Sequence, residues 1–211
     1  MIPSKKEWMD ALAERHGTEL QRRFSEATVA VCGLGGLGSN IAIALARAGI
    51  GKLVLIDFDK VDITNLHRQQ YKASQIGTNK TDALRDNLFE IAPYVAIETH
   101  SVRISENNAE VLLEKADIIC EAFDDAESKA MLVNLVLERM PEKYLVAASG
   151  MAGFGSANTI QTRRISKRFY LCGDGTSDVQ SEGSLVATRV MLCAAHQAHT
   201  VLRILTEQFE T

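Results

Sequence analysis

The 211 residues carry 23 Lys and Arg against 27 Asp and Glu, and 46% of them are hydrophobic, enough for one sizeable core. A net charge of −4 without a basic tract gives no reason to expect a nucleic-acid-binding surface, and no apolar run approaches the roughly 18 residues that cross a bilayer. Met1 to Trp8 lacks the apolar stretch of a secretion signal, and Cys32, Cys120, Cys172 and Cys193 form no CxxC pair, so a four-thiolate zinc site has no support and a reducing, cytoplasmic setting is expected.

In chain order, Lys5 to Phe24 reads as a helix in which Trp8, Leu12, Leu20 and Phe24 form an apolar stripe, with Gly17 interrupting the pattern. Val29 to Cys32 reads as a buried strand, followed at once by Gly33-x-Gly35-x-x-Gly38. An Ala-rich helix then runs from about Ser39 to Ala48, closed by Gly49. A second strand, Leu53 to Ile56, ends in Asp57. Glycines at this spacing allow a tight turn, close approach of backbone to phosphate, and packing of helix on strand. The unpaired N–H groups of the new helix face an anion, and an acidic residue where Asp57 stands meets a ribose hydroxyl.

Phe58 to Tyr71 is too dense in hydrogen-bonding groups for a core element and too long for an ordinary connection. Gly77-Thr78-Asn79-Lys80 introduces a helix over Thr81 to Ile91, stopped near Pro93, and Tyr94 to Val102 reads as a strand. Ser105 can cap a helix reaching about Lys115. Asp117 to Phe123 is a fourth strand ending in Asp124-Asp125, Ala126 to Met140 a helix, and Leu145 to Ala148 a fifth strand.

This alternation predicts an α/β fold, a Rossmann-like, mainly parallel sheet with helices on both faces. From Ser149 to Gly155 the chain reads as a flexible connection. Ala157 to Arg164 and Arg168 to Leu171 suggest an antiparallel hairpin extending the sheet, followed by a polar loop and a final helix from Leu185 to about Phe209. One domain is expected: a helical segment over 1–27, the core over 28–150, and the hairpin, loop and helix over 151–211.

Ligands of open parallel sheets lie beyond the carboxyl ends of the strands. The glycine loop, Asp57, Asp59, Asp124 and Asp125 are expected there, with Asn65, Arg68, Gln69 and Lys80 between them in sequence. A triphosphate needs fixed cations and usually a metal, where a pyrophosphate bridge is largely satisfied by a helix N-terminus. Arg68 and Lys80 supply cations and Asp124 is a candidate Mg²⁺ ligand, which favours ATP over NAD. Asp59 and Asp125 have an alternative as turn or helix-cap residues, and His67, His196 and His199 are read as structural.

Gly33-x-Gly35-Gly36-x-Gly38, Asp57-Phe58-Asp59-x-Val61, Asn65-Leu66-x-Arg68-Gln69, Gly77-x-x-Lys80 and Asp124-Asp125 occur in the order and approximate spacing of the ThiF/MoeB/HesA adenylyltransferases, bacterial relatives of the ubiquitin-activating enzymes. The chain resembles that family over most of its length. Ser149-Gly150-Met151-Ala152-Gly153 and Tyr170-Leu171-Cys172-Gly173-Asp174 resemble its short form without zinc cysteines, sometimes found with thiamine-synthesis genes. The resemblance implies that the C-terminal Gly-Gly carboxylate of a ubiquitin-like sulfur carrier, ThiS, attacks the α-phosphorus of ATP. It places Asp57 on the ribose, Asn65, Arg68 and Lys80 on the phosphates, Asp124 on Mg²⁺, and Gln69 among neighbours that it orients.

The same resemblance implies a homodimer, and it raises Cys172, read first as a structural thiol, as a second-ranked candidate to accept the activated carrier. Nothing nearby in sequence lowers its pKa, as a reactive cysteine requires. Many relatives open with an Arg-Tyr segment that sends an arginine into the partner's phosphate site. This chain has none, and Arg15, Arg22 and Arg23 are the available substitutes. Other readings are activation of a different carrier or of a small carboxylate, an NAD-dependent oxidoreductase, and a nucleotide-binding scaffold without activity.

Overall fold

A computed structural model describes residues 2–211; Met1 of the N-terminal segment lies outside it. The expected strand–helix alternation holds. Strands β1 (Thr28–Cys32), β2 (Lys52–Ile56), β3 (Ala96–His100), β4 (Ile118–Glu121), β5 (Tyr144–Ala148), β6 (Gln161–Arg164) and β7 (Phe169–Gly173) form one sheet in the order β3-β2-β1-β4-β5-β7-β6. All neighbours run parallel except β6 and β7. The hairpin does extend the sheet, but its second strand docks on β5 and its first becomes the edge.

The central strands are buried on both faces, which is why they read as continuous apolar runs rather than alternating ones. Val29, Val31, Leu53 and Leu55 face one core with α3 (Gly36–Ala48), α4 (Lys80–Ile91) and α8 (Ala187–Leu205). Ala30, Cys32, Val54 and Ile56 face the other, with α5 (Ala109–Leu113) and α6 (Ala126–Arg139). α3 packs directly on α8, so the C-terminal helix supports the helix that leaves the glycine loop.

Several boundaries differ from expectation for local reasons. The N-terminal helix is two: α1 (Lys5–His16), opened by a Ser4–Glu7 capping box, and α2 (Thr18–Glu26). Gly17 separates them at φ +88°, a backbone conformation that glycine tolerates. Of the apolar stripe only Phe24 is buried, Trp8 and Leu12 are half-buried, and Leu20 is exposed. α3 starts three residues before Ser39, within the glycines themselves; Ser39 Oγ donates back to the Gly35 carbonyl. Among the described residues the Ser105 side chain caps no helix. Asn108 stands at the N-cap position of the short α5 without a side-chain bond to the helix, and its Oδ1 instead accepts the Ser105 N–H at 2.8 Å. A further turn of helix, α7 (Val179–Glu182), lies in the polar loop before α8.

Candidate active site

In the strand order, β1 leads outward to β2 while β4 leads the other way to β5, so the crevice between the ends of β1 and β4 is the switch point where open sheets bind ligands. A cleft of ≈ 630 Å³ opens there. It brings together Gly33, Gly35, Gly36, Asp57, Asp59, Asn65, Arg68, Gln69, Lys80, Asp124 and Asp125, every sequence-expected nucleotide residue except Gly38. Gly38 acts one turn behind the wall: a Cβ there would lie 1.8 Å from the Gly33 carbonyl oxygen. That contact is the close helix-on-strand packing the fingerprint demands. Gly33 adopts φ +90° and passes against the Ala122 carbonyl, so it turns the chain from β1 into α3.

Asp57 is buried at the end of β2. Its Oδ2 accepts the Leu34 N–H at 2.6 Å and its Oδ1 the Asp59 N–H at 2.7 Å. Burial raises its pKa, opposed by the Lys80 charge and these two N–H groups. Lys80, the first residue of α4, is buried as well, with its ammonium 2.7 Å from Asp59 Oδ2 and 3.9 Å from Asp57 Oδ2. Arg68 differs: among the described residues its guanidinium has neither an ion pair nor a hydrogen bond, and its stem lies over Gly36. Gln69 is buried, and among the described residues its Oε1 has no hydrogen-bond partner.

On the opposite wall, Asp125 Oδ1 accepts the Ser128 N–H at 2.7 Å and so caps α6, the alternative recognised for it from sequence. The adjacent Asp124 makes no hydrogen bond or ion pair among the described residues and is exposed at the cleft. The two ring nitrogens of His67 lie 3.0 and 3.2 Å from the Thr64 and Leu185 carbonyls, so its ring N–H can be donated to either, linking the polar segment to the approach to α8. His196 meets Thr162 Oγ1 at 3.0 Å. Among the described residues no three His, Cys, Asp or Glu side chains gather as metal ligands.

Cys172 lies in β7, fully buried, with Sγ near the Thr162 and Thr200 hydroxyls at 3.6 and 3.9 Å. Burial pushes its pKa up, so the thiol stays protonated, and it does not line the cleft. The idea of an acceptor thiol at this position is therefore corrected: β7 continues two residues further than expected and carries Cys172 into the core.

The cleft also contains groups that sequence reasoning missed. Arg103 projects over the Phe58 ring, 4.0 Å from its centroid. Lys129 lies in the first turns of α6 and pairs with Glu121 of β4 at 3.0 Å. No spacing rule links the segment after β3 to Phe58, or a strand-end glutamate to a lysine on the following helix; both pairings depend on how the chain leaves the ends of the strands.

The ThiF family matches the chain over residues 9–211. Ubiquitin-like modifier-activating enzyme 5 of Caenorhabditis elegans is 40% identical over 150 residues, covering 66% of this chain and 35% of that protein. Adenylyltransferase and sulfurtransferase MOCS3 of Culex quinquefasciatus is 35% identical over 136 residues, covering 64% and 31%. The chain thus spans about a third of the length of these curated relatives. The ATP complex of the E. coli tRNA N6-threonylcarbamoyladenosine dehydratase TcdA superposes with a TM-score of 0.86 at 22% identity, covering 99% of this chain and 98% of that one. E. coli MccB with ATP reaches 0.71 at 21% identity, over 93% and 64%. These two likenesses concern the fold. By its match over nearly its whole length, the chain belongs to the ThiF family.

Proposed function

We propose that this protein binds ATP in the β1/β4 cleft and transfers the adenylyl group to the C-terminal carboxylate of a ubiquitin-like sulfur carrier ending in Gly-Gly, releasing pyrophosphate. One observation carries this reading: the glycine loop, a buried carboxylate after β2, the cations Arg68 and Lys80, and a carboxylate after β4 without a partner among the described residues line a single cleft. Relatives whose names state adenylyltransferase or ubiquitin-like modifier-activating activity support it. The finer assignment, ThiS in thiazole synthesis for thiamine, rests on the resemblance of residues 149–153 and 170–174 to the short family form.

The chemistry suits the groups present. A C-terminal carboxylate has a pKa of about 3.3–3.7 and is ionised at neutral pH, so no general base is required. The work is to align two anions and neutralise the charge between them. Asp57 would take the ribose. Asn65, Arg68 and Lys80 would take the phosphates, with the N-terminal N–H groups of α3 beneath them. Asp59 would hold Lys80 in place, and Gln69 would orient its neighbours at the loop.

Mg²⁺ is usually held by one or two carboxylates together with substrate phosphates and water. Asp124, unpartnered and facing the cleft, fits that mode without any further ligand. When bound there, the ion would neutralise charge on the departing pyrophosphate. The protein is proposed to work in the cytoplasm as a homodimer. Arg15, unlike Arg22 and Arg23, has no ion pair among the described residues and is the available arginine for a partner's phosphate site.

ATP–pyrophosphate exchange tests the reading. Exchange that depends on an added Gly-Gly-ended carrier is expected. Nucleotide binding without exchange, given carriers of both sulfur-transfer and molybdopterin type and small carboxylates, would leave a scaffold. NADH-linked absorbance change would point to an oxidoreductase.

A further inference from the structure

The β4–β5 ladder ends at Cys120 paired with Val146, and from there the two strands part around the cleft. Two side chains bridge the gap. Gln197 of α8 donates to the Glu121 carbonyl at 2.9 Å and the Val146 carbonyl at 3.2 Å. Lys129 of α6 donates to both Glu121 carboxylate oxygens, at 3.0 and 3.1 Å, and to the Ala148 carbonyl at 3.1 Å. Glu121 Oε1 also accepts the Phe123 N–H at 2.7 Å, within the turn that presents Asp124.

A carboxylate 1% exposed at the end of a central strand is costly to bury. Apolar residues of similar volume often stabilise a fold as well as such a pair does, or better. What an apolar pair cannot do is fix the Asp124 turn and the exit of β5 to one point by directed bonds.

We propose that Glu121 and Lys129 are a positioning pair, which holds the turn bearing Asp124 against the end of β5 and so sets where Asp124 meets a nucleotide-bound cation. The inference rests on the reading of Asp124 given above. Neither side chain need touch the nucleotide. Lys129 acts through Glu121, Glu121 through the Phe123 N–H, and Asp124 is the next residue.

Calorimetric titration of the full chain with AMP, with ATP alone, and with ATP plus Mg²⁺ tests it. In the unaltered protein Mg²⁺ should tighten ATP binding, and Asp124→Ala should erase that gain. Lys129→Met should reduce the gain at least fivefold while leaving AMP affinity within twofold, and Lys129→Arg should restore most of it. If Lys129→Met fails to fold because Glu121 is left uncompensated, Glu121→Gln/Lys129→Met removes that charge and should show the same loss. A folded Lys129 variant with the full gain, or one that loses AMP and ATP affinity equally, overturns the pair's role. An Asp124→Ala protein that keeps the gain overturns instead the reading of Asp124 on which the pair depends.

Discussion

Lys80 Nζ lies 2.7 Å from Asp59 Oδ2, so the lysine at the start of α4 is already neutralised by a carboxylate of the same cleft. The more distant Asp57 adds a second negative charge at 3.9 Å. A lysine held in this way is positioned, but it contributes little net positive charge to a polyanion. Arg68 and Arg103, neither of which has an ion pair among the described residues, are then the cations of the cleft left un-neutralised, and Arg68 is the one proposed for the distal phosphates.

Arg68→Ala should therefore weaken ATP far more than AMP. Loss of one charge-assisted contact of about 1.5–3 kcal/mol corresponds to roughly 10- to 150-fold in Kd for ATP. Equal losses for the two nucleotides in a binding titration would place Arg68 away from the β- and γ-phosphates.

Asp124→Ala should abolish ATP–pyrophosphate exchange with little change in thermal stability. The side chain is exposed and unpartnered, so its removal leaves no buried group unsatisfied. Near-normal exchange by the folded variant would remove Asp124 from the chemistry.

The glycines of the loop should separate into two classes. A Cβ at Gly38 would sit 1.8 Å from the Gly33 carbonyl oxygen, whereas at Gly35 the nearest atom outside its chain neighbours is Gln69 Nε2 at 3.7 Å. Gly38→Ala should then fail to fold or melt far lower, while Gly35→Ala should keep its melting temperature and lose nucleotide affinity. Melting curves and ATP titrations of the two proteins check this together, and equal melting temperatures would contradict it.

Asp174 and Arg189 form a buried pair that ties the polar loop to α8 and to the Gly155 and Ser156 carbonyls. Burial pushes the Asp174 pKa up, but the Ser177 and Thr176 N–H groups, the Ser177 hydroxyl and Arg189 outweigh it and hold the carboxyl well below its ordinary range. A depressed carboxyl adds stability above its unfolded value of about 3.9, and that stability is lost as pH falls toward the folded value. Asp174→Asn should cost about 3 kcal/mol at pH 7, a drop of roughly 6–12 °C in Tm. Its deficit should narrow as pH falls below about 4. A deficit independent of pH would show that packing, not charge, sets the contribution of this residue.

The strands, their order in the chain and the glycine loop were legible in the sequence, because continuous apolar runs and Gly spacing reflect burial on both sheet faces and backbone close approach. The same local signals marked Asp57, Arg68, Lys80 and Asp124 as one group, since parallel topology places every strand end on one rim. The division of labour within that group was not legible. Lys80 is paired, and Arg68 among the described residues is not, because β2 and α4 converge on one side of the rim, which spacing does not report. Whether Cys172 was a structural or an acceptor thiol was not legible beside Gly173, and two further residues of β7 take it into the core. Glu121 and Lys129 gave no local signal, because their meeting depends on the place where β4 and β5 part. Sequence determined which groups reach the rim; only tertiary packing decided which of them are neutralised, buried or left free, since those outcomes depend on distances between elements far apart in the chain.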